Sequence, residues 1–124
     1  MYERNKGVVM YEYRCYVVRV VDGSTVDAQV DLGFNVLVRQ RIKLFGIDTA
    51  DIKSLDSVER DRAVAARNRL VELLGKEFIC KTILNKRGKA GRTLGHIFVL
   101  DNNDQIVDVN KQLVDEGFAI PYGD

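Results

Sequence analysis

The sequence predicts an α+β domain that is mainly β. Three observations carry that expectation: alternating apolar and polar residues in the first third, one long run at helical spacing in the middle, and two β-rich runs behind it. A chain of 124 residues with 46% hydrophobic content holds enough apolar material for one core of ordinary size. The expected organisation is an N-terminal segment, residues 1–10, followed by a single domain over residues 11–124.

Residues 11–21 are rich in β-branched and aromatic side chains and end at Asp22-Gly23, which suits a strand entering a tight turn. From there Val26, Ala28, Val30 and Leu32 alternate with Asp27, Gln29 and Asp31, so the second strand returns as the other arm of a hairpin with one face buried. A third alternating run sets Val36, Val38, Ile42 and Leu44 on one face and Arg39, Arg41 and Lys43 on the other. Charges on a strand are most often a solvated outer face, so only Lys43, beside the segment that ends in Asp48, carries functional weight.

Asp56, with Glu59 three residues on, resembles a capping box, and Ala63, Ala66, Leu70, Leu73 and Leu74 then recur at helical spacing up to Gly75. Residues 78–84 and 93–100 read as strands four and five, joined by a basic, glycine-containing loop over 85–91. A turn at 101–104 leads to a short helix over 109–116, closed by Gly117. Three strands, a long helix, two strands and a short C-terminal helix make the layout of a five-stranded Greek-key barrel of the OB type. Such barrels commonly bind nucleic acid, although a fold does not by itself define a function.

The formal net charge of +1 conceals an uneven distribution: Lys81, Lys86, Arg87, Lys89 and Arg92 fall in a stretch without an acid, while residues 101–124 are mostly acidic. Cys15 and Cys80 each lie in an apolar run with no Cys or His nearby, which excludes a zinc or redox motif and predicts reduced core residues. No apolar stretch has the length of a signal peptide or a membrane span, so the expectation is a soluble intracellular protein with no membrane partner.

The segment 43–51 places Asp48, Thr49 and Asp51 at the end of a buried strand, and hard oxygen ligands there suit calcium or magnesium. Taken alone, a turn or helix-approach cap accounts for both carboxylates more simply than a metal site. Asp22-Gly23-Ser24-Thr25 offers further oxygens that a small barrel can bring beside Asp48, though Asp-Gly is also a frequent hairpin turn. In the loop before strand five, Lys86, Arg87, Lys89 and Arg92 with two glycines suit a polyanion, and Arg92 begins an apolar strand that can hold its guanidinium for a planar contact to phosphate. Tyr122, in the terminal tail, is a candidate for stacking on a base. His96, a lone histidine between apolar neighbours, is read as a packing or surface residue.

Taken in order, Val21-Asp22-Gly23-Ser24-Thr25-Val26, the segment 43–51, Gly91-Arg92-Thr93-Leu94, Val109-Asn110 and Gly117-Phe118-Ala119 resemble the staphylococcal nuclease (thermonuclease-like) family. The resemblance covers residues 17–122 and implies an OB-fold, calcium-dependent phosphodiesterase that cuts DNA or RNA. It places the metal ligands at Asp48, the backbone carbonyl of Thr49, and Ser24, and the catalytic positions at Lys43, Asp51 and Arg92. It also places phosphate contact at Lys89, in the loop that holds Lys86 and Arg87.

Three positions depart from the family pattern. Ser24 replaces a metal-binding carboxylate, Lys43 replaces a phosphate-clamping arginine and loses its bidentate fork, and Asp51 replaces a glutamate longer by one methylene. The resemblance therefore implies weakened or retuned cleavage. The alternatives are a nucleic-acid-binding module that does not cleave and a protein-interaction barrel. The link Asp31-Leu32-Gly33-Phe34 resembles that of phage-encoded relatives.

Overall fold

In chain order the elements are β1 (Glu12–Asp22), β2 (Thr25–Asp31), β3 (Leu37–Leu44), β4 (Ile47–Asp48), α1 (Ser57–Leu74), β5 (Glu77–Arg87), β6 (Thr93–Leu100), β7 (Ile106–Asp108), α2 (Val109–Asp115) and β8 (Ile120–Pro121). They are taken from a computed structural model that describes residues 11–87 and 92–123. Strands β3-β2-β1-β5-β6 are hydrogen-bonded in that order, and a parallel pairing of β3 with β6 closes them into a five-stranded mixed barrel, with β7 added to β6. With its two helices this is the OB-type α+β architecture that the sequence predicts.

Alternation drives the barrel, and two irregularities in β1 decide which residues face out. Cys15 pairs with Val30 and Val17 with Ala28, but the next pairs are Arg19 with Asp27, Val20 with Val26, and Asp22 with Thr25. Each shift inserts one extra residue on β1, a bulge that resets the parity of the strand. Cys15 and Val20 therefore point into the core beside Val26, Ala28, Ile42, Leu44, Phe78, Cys80 and Ile97. Tyr16, Arg19 and Asp22 share the outer face. Cys15 and Cys80 are free thiols, as expected, and burial pushes both up to about 12.

Helix α1 packs Ala63, Ala66, Leu70 and Leu74 inward, the stripe read from the sequence, and Gly75 ends it at a φ of 60° with its N–H on Val71 O. Arg67 Nε donates to Val20 O (3.1 Å), satisfying a carbonyl at the β1 bulge. The capping box forms only in half. Asp56 Oδ1 accepts from Val58 N–H (2.9 Å), but Glu59 turns away from Asp56 and its Oε2 accepts from Asp51 N–H (3.4 Å). The loop before the helix thus takes the carboxylate that the motif would have kept local.

Helix α2 is capped by Asp108, whose Oδ1 accepts from Lys111 N–H (3.1 Å). It delivers the buried Asn110 to the join between β3 and β6: Nδ2 donates to Phe45 O (2.9 Å) and Gly95 O (3.2 Å), and Oδ1 accepts from Ile97 N–H (3.1 Å). Arg69 on α1 grips Glu116 through Nε–Oε1 (2.6 Å) and Nη2–Oε2 (2.8 Å), with Gln112 adding a further bond, and these hold the Glu116 carboxyl down to about 2.

The structure differs from the sequence reading in the short elements. β5 runs to Arg87 rather than ending at 84, and β4, β7 and β8 are strands of two or three residues, too short to show a period. β4 and β8 nonetheless matter, because Ile47 pairs with Pro121, Asp48 with Ile120, and Tyr122 N–H donates to Gly46 O (2.8 Å). The tail therefore braces the segment that carries Asp48. Among the described residues no helix is long and apolar enough to cross a membrane.

Candidate functional site

The register places Asp22, Thr25 and Lys43 in one row across β1, β2 and β3, and Lys43 pairs onward with Leu94 of β6, two residues from Arg92. At one end of this row the β1–β2 turn folds over itself: Asp22 Oδ1 accepts from Ser24 N–H (2.9 Å) and lies 3.5 Å from Ser24 Oγ. Thr49 Oγ1 donates to Ser24 Oγ (3.4 Å), and Thr49 N–H donates to Asp48 Oδ1 (3.0 Å). The expectation that the Asp22 turn meets the Asp48 segment is met by these contacts.

Gly23 makes the approach possible. A Cβ there would sit 2.7 Å from Ala66 Cβ of α1 and 3.1 Å from both Oγ1 and Cγ2 of Thr49. A side chain at 23 would therefore press the turn away from Thr49 or from the helix.

Lys43 is half-buried, and its Nζ donates to the carbonyls of Leu44 (3.1 Å) and Ile47 (2.8 Å). Burial lowers its pKa, the charges of Asp48 and Asp22 oppose that shift, and the charge of Arg92 adds to it. Asp22, Asp48 and Arg92 are thus all within electrostatic reach of one ammonium. None of the ion pairs among the described residues joins Lys43 to an acid.

Asp51 lies further along the loop. Its Oδ1 accepts from Lys53 N–H (2.8 Å) and its carbonyl from Ser54 N–H (3.1 Å), so the residue is fixed in a turn that faces α1. An open cleft of about 530 Å³ runs beside it, lined by Asp48, Thr49, Glu59, Arg62 and Phe118 among others. The ring of Tyr122 is exposed on a tail whose backbone is tied to Gly46. Lys86 and Arg87 end β5, and Lys89 lies outside the described residues.

The fold therefore brings Ser24, Lys43, Asp48 and Thr49 together, with Arg92 in reach, and sets Asp51 toward the helix. Three further residues had no site role of their own in the sequence reading. Asp22 joins the site because the bulges put it in the Lys43 row, Asn110 because α2 carries it to the barrel join, and Glu59 because it leaves its expected cap. Asp22 had a local signal in its place in the same turn as Ser24, and Asn110 stands in one of the segments that carry the family resemblance.

The donors suit a hard cation in kind. Asp22, Ser24, Asp48 and Thr49 supply only oxygen, and among the described residues neither Asp22 nor Asp48 has a hydrogen-bond partner at Oδ2. They are sparse in charge, since among the described residues no group of three His, Cys, Asp or Glu is arranged to hold a metal.

A closed OB-type barrel with an oxygen cluster where the β1–β2 turn meets β4, beside a half-buried lysine on β3, belongs to the class of small barrels with a polar site outside the barrel wall. Residues 41–123 match the family model described as staphylococcal nuclease homologue, and the chain belongs to that family. The matched span begins on β3 and takes in Lys43, Asp48, Thr49, Asp51, Arg92 and Tyr122, whereas Asp22 and Ser24 precede it. No curated protein matches the chain.

Proposed function

We propose that this nuclease-family barrel hydrolyses phosphodiester bonds of DNA or RNA with calcium as cofactor, at a site made by Lys43, Asp48, Thr49, Asp51 and Arg92. The observation that carries the reading is the convergence of the Asp22–Ser24–Thr49–Asp48 oxygen cluster with the Lys43 ammonium and the Arg92 charge.

Asp48, Ser24 and the Thr49 carbonyl, with Asp22 beside them, would hold calcium, which when bound supplies charge stabilisation to a phosphoryl oxygen. Lys43 and Arg92 neutralise the remaining phosphoryl oxygens and orient the group, which is where most of the rate enhancement arises in phosphoryl transfer. Asp51, whose Oδ1 accepts from Lys53 N–H, would orient the attacking water through its other carboxylate oxygen. The basic run of Lys86, Arg87 and Lys89 binds the flanking phosphates, and Tyr122 offers a ring for a base.

Ser24 supports slow cleavage, because it contributes a hydroxyl where the family pattern has a carboxylate. A module that binds without cleaving is the second reading, and the absence of a third acidic group at the cluster among the described residues favours it. Incubation of the purified chain with single-stranded DNA and RNA in calcium separates the two. Product accumulation supports hydrolysis, and intact substrate after long incubation rejects it. Ser24→Asp with Asp51→Glu is expected to raise both calcium affinity and rate; no gain in either would show that these turns are misassigned.

A further inference from the structure

We infer that the outer face of β1–β2–β3 is an extended track for single-stranded nucleic acid, in which Arg41, Arg19 and Arg39 with Tyr16 guide the strand to Lys43. The inference builds on the phosphodiester reading of the site.

Residues 39, 41 and 43 share one face of β3, so their side chains step along it at about 6.8 Å per pair of residues. That step is close to the spacing of successive phosphates in an extended strand. The bulges of β1 bring matching residues to the same face. Going away from the site, the rows read Asp22–Thr25–Lys43, then Arg19–Asp27–Arg41, then Tyr16–Gln29–Arg39.

The only acid in these two rows is Asp27, and it lies on the outer face covered by the two arginines. Its side chain is 10% exposed, against 46% for Arg41 and 61% for Arg19. Arg41 binds it through Nε (2.8 Å) and Nη2 (3.0 Å), and Arg19 through Nε (3.3 Å). The carboxylate therefore fixes two guanidinium groups in place and leaves their outer N–H donors toward solvent. Arg39 is exposed, and half-buried Tyr16 gives the last row an aromatic surface. As separate sequence positions these arginines look like an ordinary solvated face, but in register they form a ladder that ends at Lys43.

The test is equilibrium binding of fluorescent single-stranded oligomers in a metal chelator, which removes metal-dependent cleavage from the measurement. For an oligomer of about 12 nucleotides, Arg39→Ala is expected to weaken binding roughly three- to tenfold at low salt and to lower the logarithmic salt slope by about 0.7. Arg19→Ala should act in the same direction, Arg39→Lys should keep the slope, and Lys111→Ala, an exposed cation on α2, should change nothing. A dinucleotide should bind the Arg39→Ala and wild-type chains alike.

Unchanged affinity and slope in both arginine variants would overturn the track, as would a wild-type chain that fails to bind at low salt. Equal competition by an oligoglutamate of matched charge would assign the face to acidic proteins instead. Cleavage in calcium is read separately. Cleavage without an Arg39 effect rejects the track alone, and an Arg39 effect without cleavage rejects hydrolysis alone.

Discussion

In the row Arg19–Asp27–Arg41 a nearly buried carboxylate takes both arginines, and its charge is fully answered within the fold. One row along, Lys43 spends its hydrogens on the carbonyls of Leu44 and Ile47, and Asp22 and Asp48 act on it only through space. The two rows occupy the same sheet and the same face, yet one is a cross-link and the other is held ready. Charge on a strand is therefore not informative until its partners are known. Where the acid is consumed the row stabilises and presents only the donors left over on its arginines, and where the acids act only through space the row can take a ligand directly.

The sharpest way to break this contrast is to remove charge from the ready side. Arg92→Ala is expected to lower the cleavage rate by about 10²- to 10³-fold, as loss of a single preorganised donor commonly does. A rate close to wild type would remove Arg92 from the phosphoryl group.

On the cross-linked side the expected effect is on stability. Asp27→Asn loses charge-assisted bonds to two arginines and should cost about 2 kcal/mol in urea unfolding. Arg41, and then Arg19, hold the Asp27 carboxyl below the usual carboxylate range. The stabilisation is thus fully present above the unfolded value of about 3.9 and is lost as pH falls through the lower folded value. The wild-type chain should accordingly lose more stability than Asp27→Asn on acidification from about pH 4 downward. Parallel curves would mean that the ion pair contributes nothing.

The smallest effect near neutral pH is expected from Lys43→Arg. Burial disfavours the charged form of Lys43, so its charge is lost at a lower pH than that of an ordinary lysine, and oligonucleotide affinity should fall as pH rises into that range. An arginine stays charged, so the variant should lose this alkaline decline. Persistence of the decline in Lys43→Arg would trace it to another group.

The barrel was legible in the sequence because its strands are long and alternate, and α1 because its apolar stripe is bounded by Asp56 and Gly75. The meeting of Ser24 with Thr49 was legible only as a consequence of small-barrel geometry. What escaped was whatever depends on a one-residue shift or on two-residue strands. Simple alternation put Asp27 on a solvated face, and the register buries it under Arg19 and Arg41. Glu59 had the spacing of a cap partner, and a nearby unsatisfied N–H of Asp51 took it instead. β4 and β8, which brace Asp48, carry no periodic signal.

The parallel join of β3 to β6 brings together segments nearly half the chain apart, and Lys43 and Arg92 stand on its two sides. A pairing so remote in sequence closes late in folding, after the local hairpins, because its loop entropy must be met first. The site therefore does not exist until this seam forms, and a bound polyanion spanning both strands works as a latch on it. Amide protons there, such as Phe45 N–H on Gly95 O, should exchange more slowly with an oligonucleotide bound, whereas those of the β1–β2 hairpin should change less.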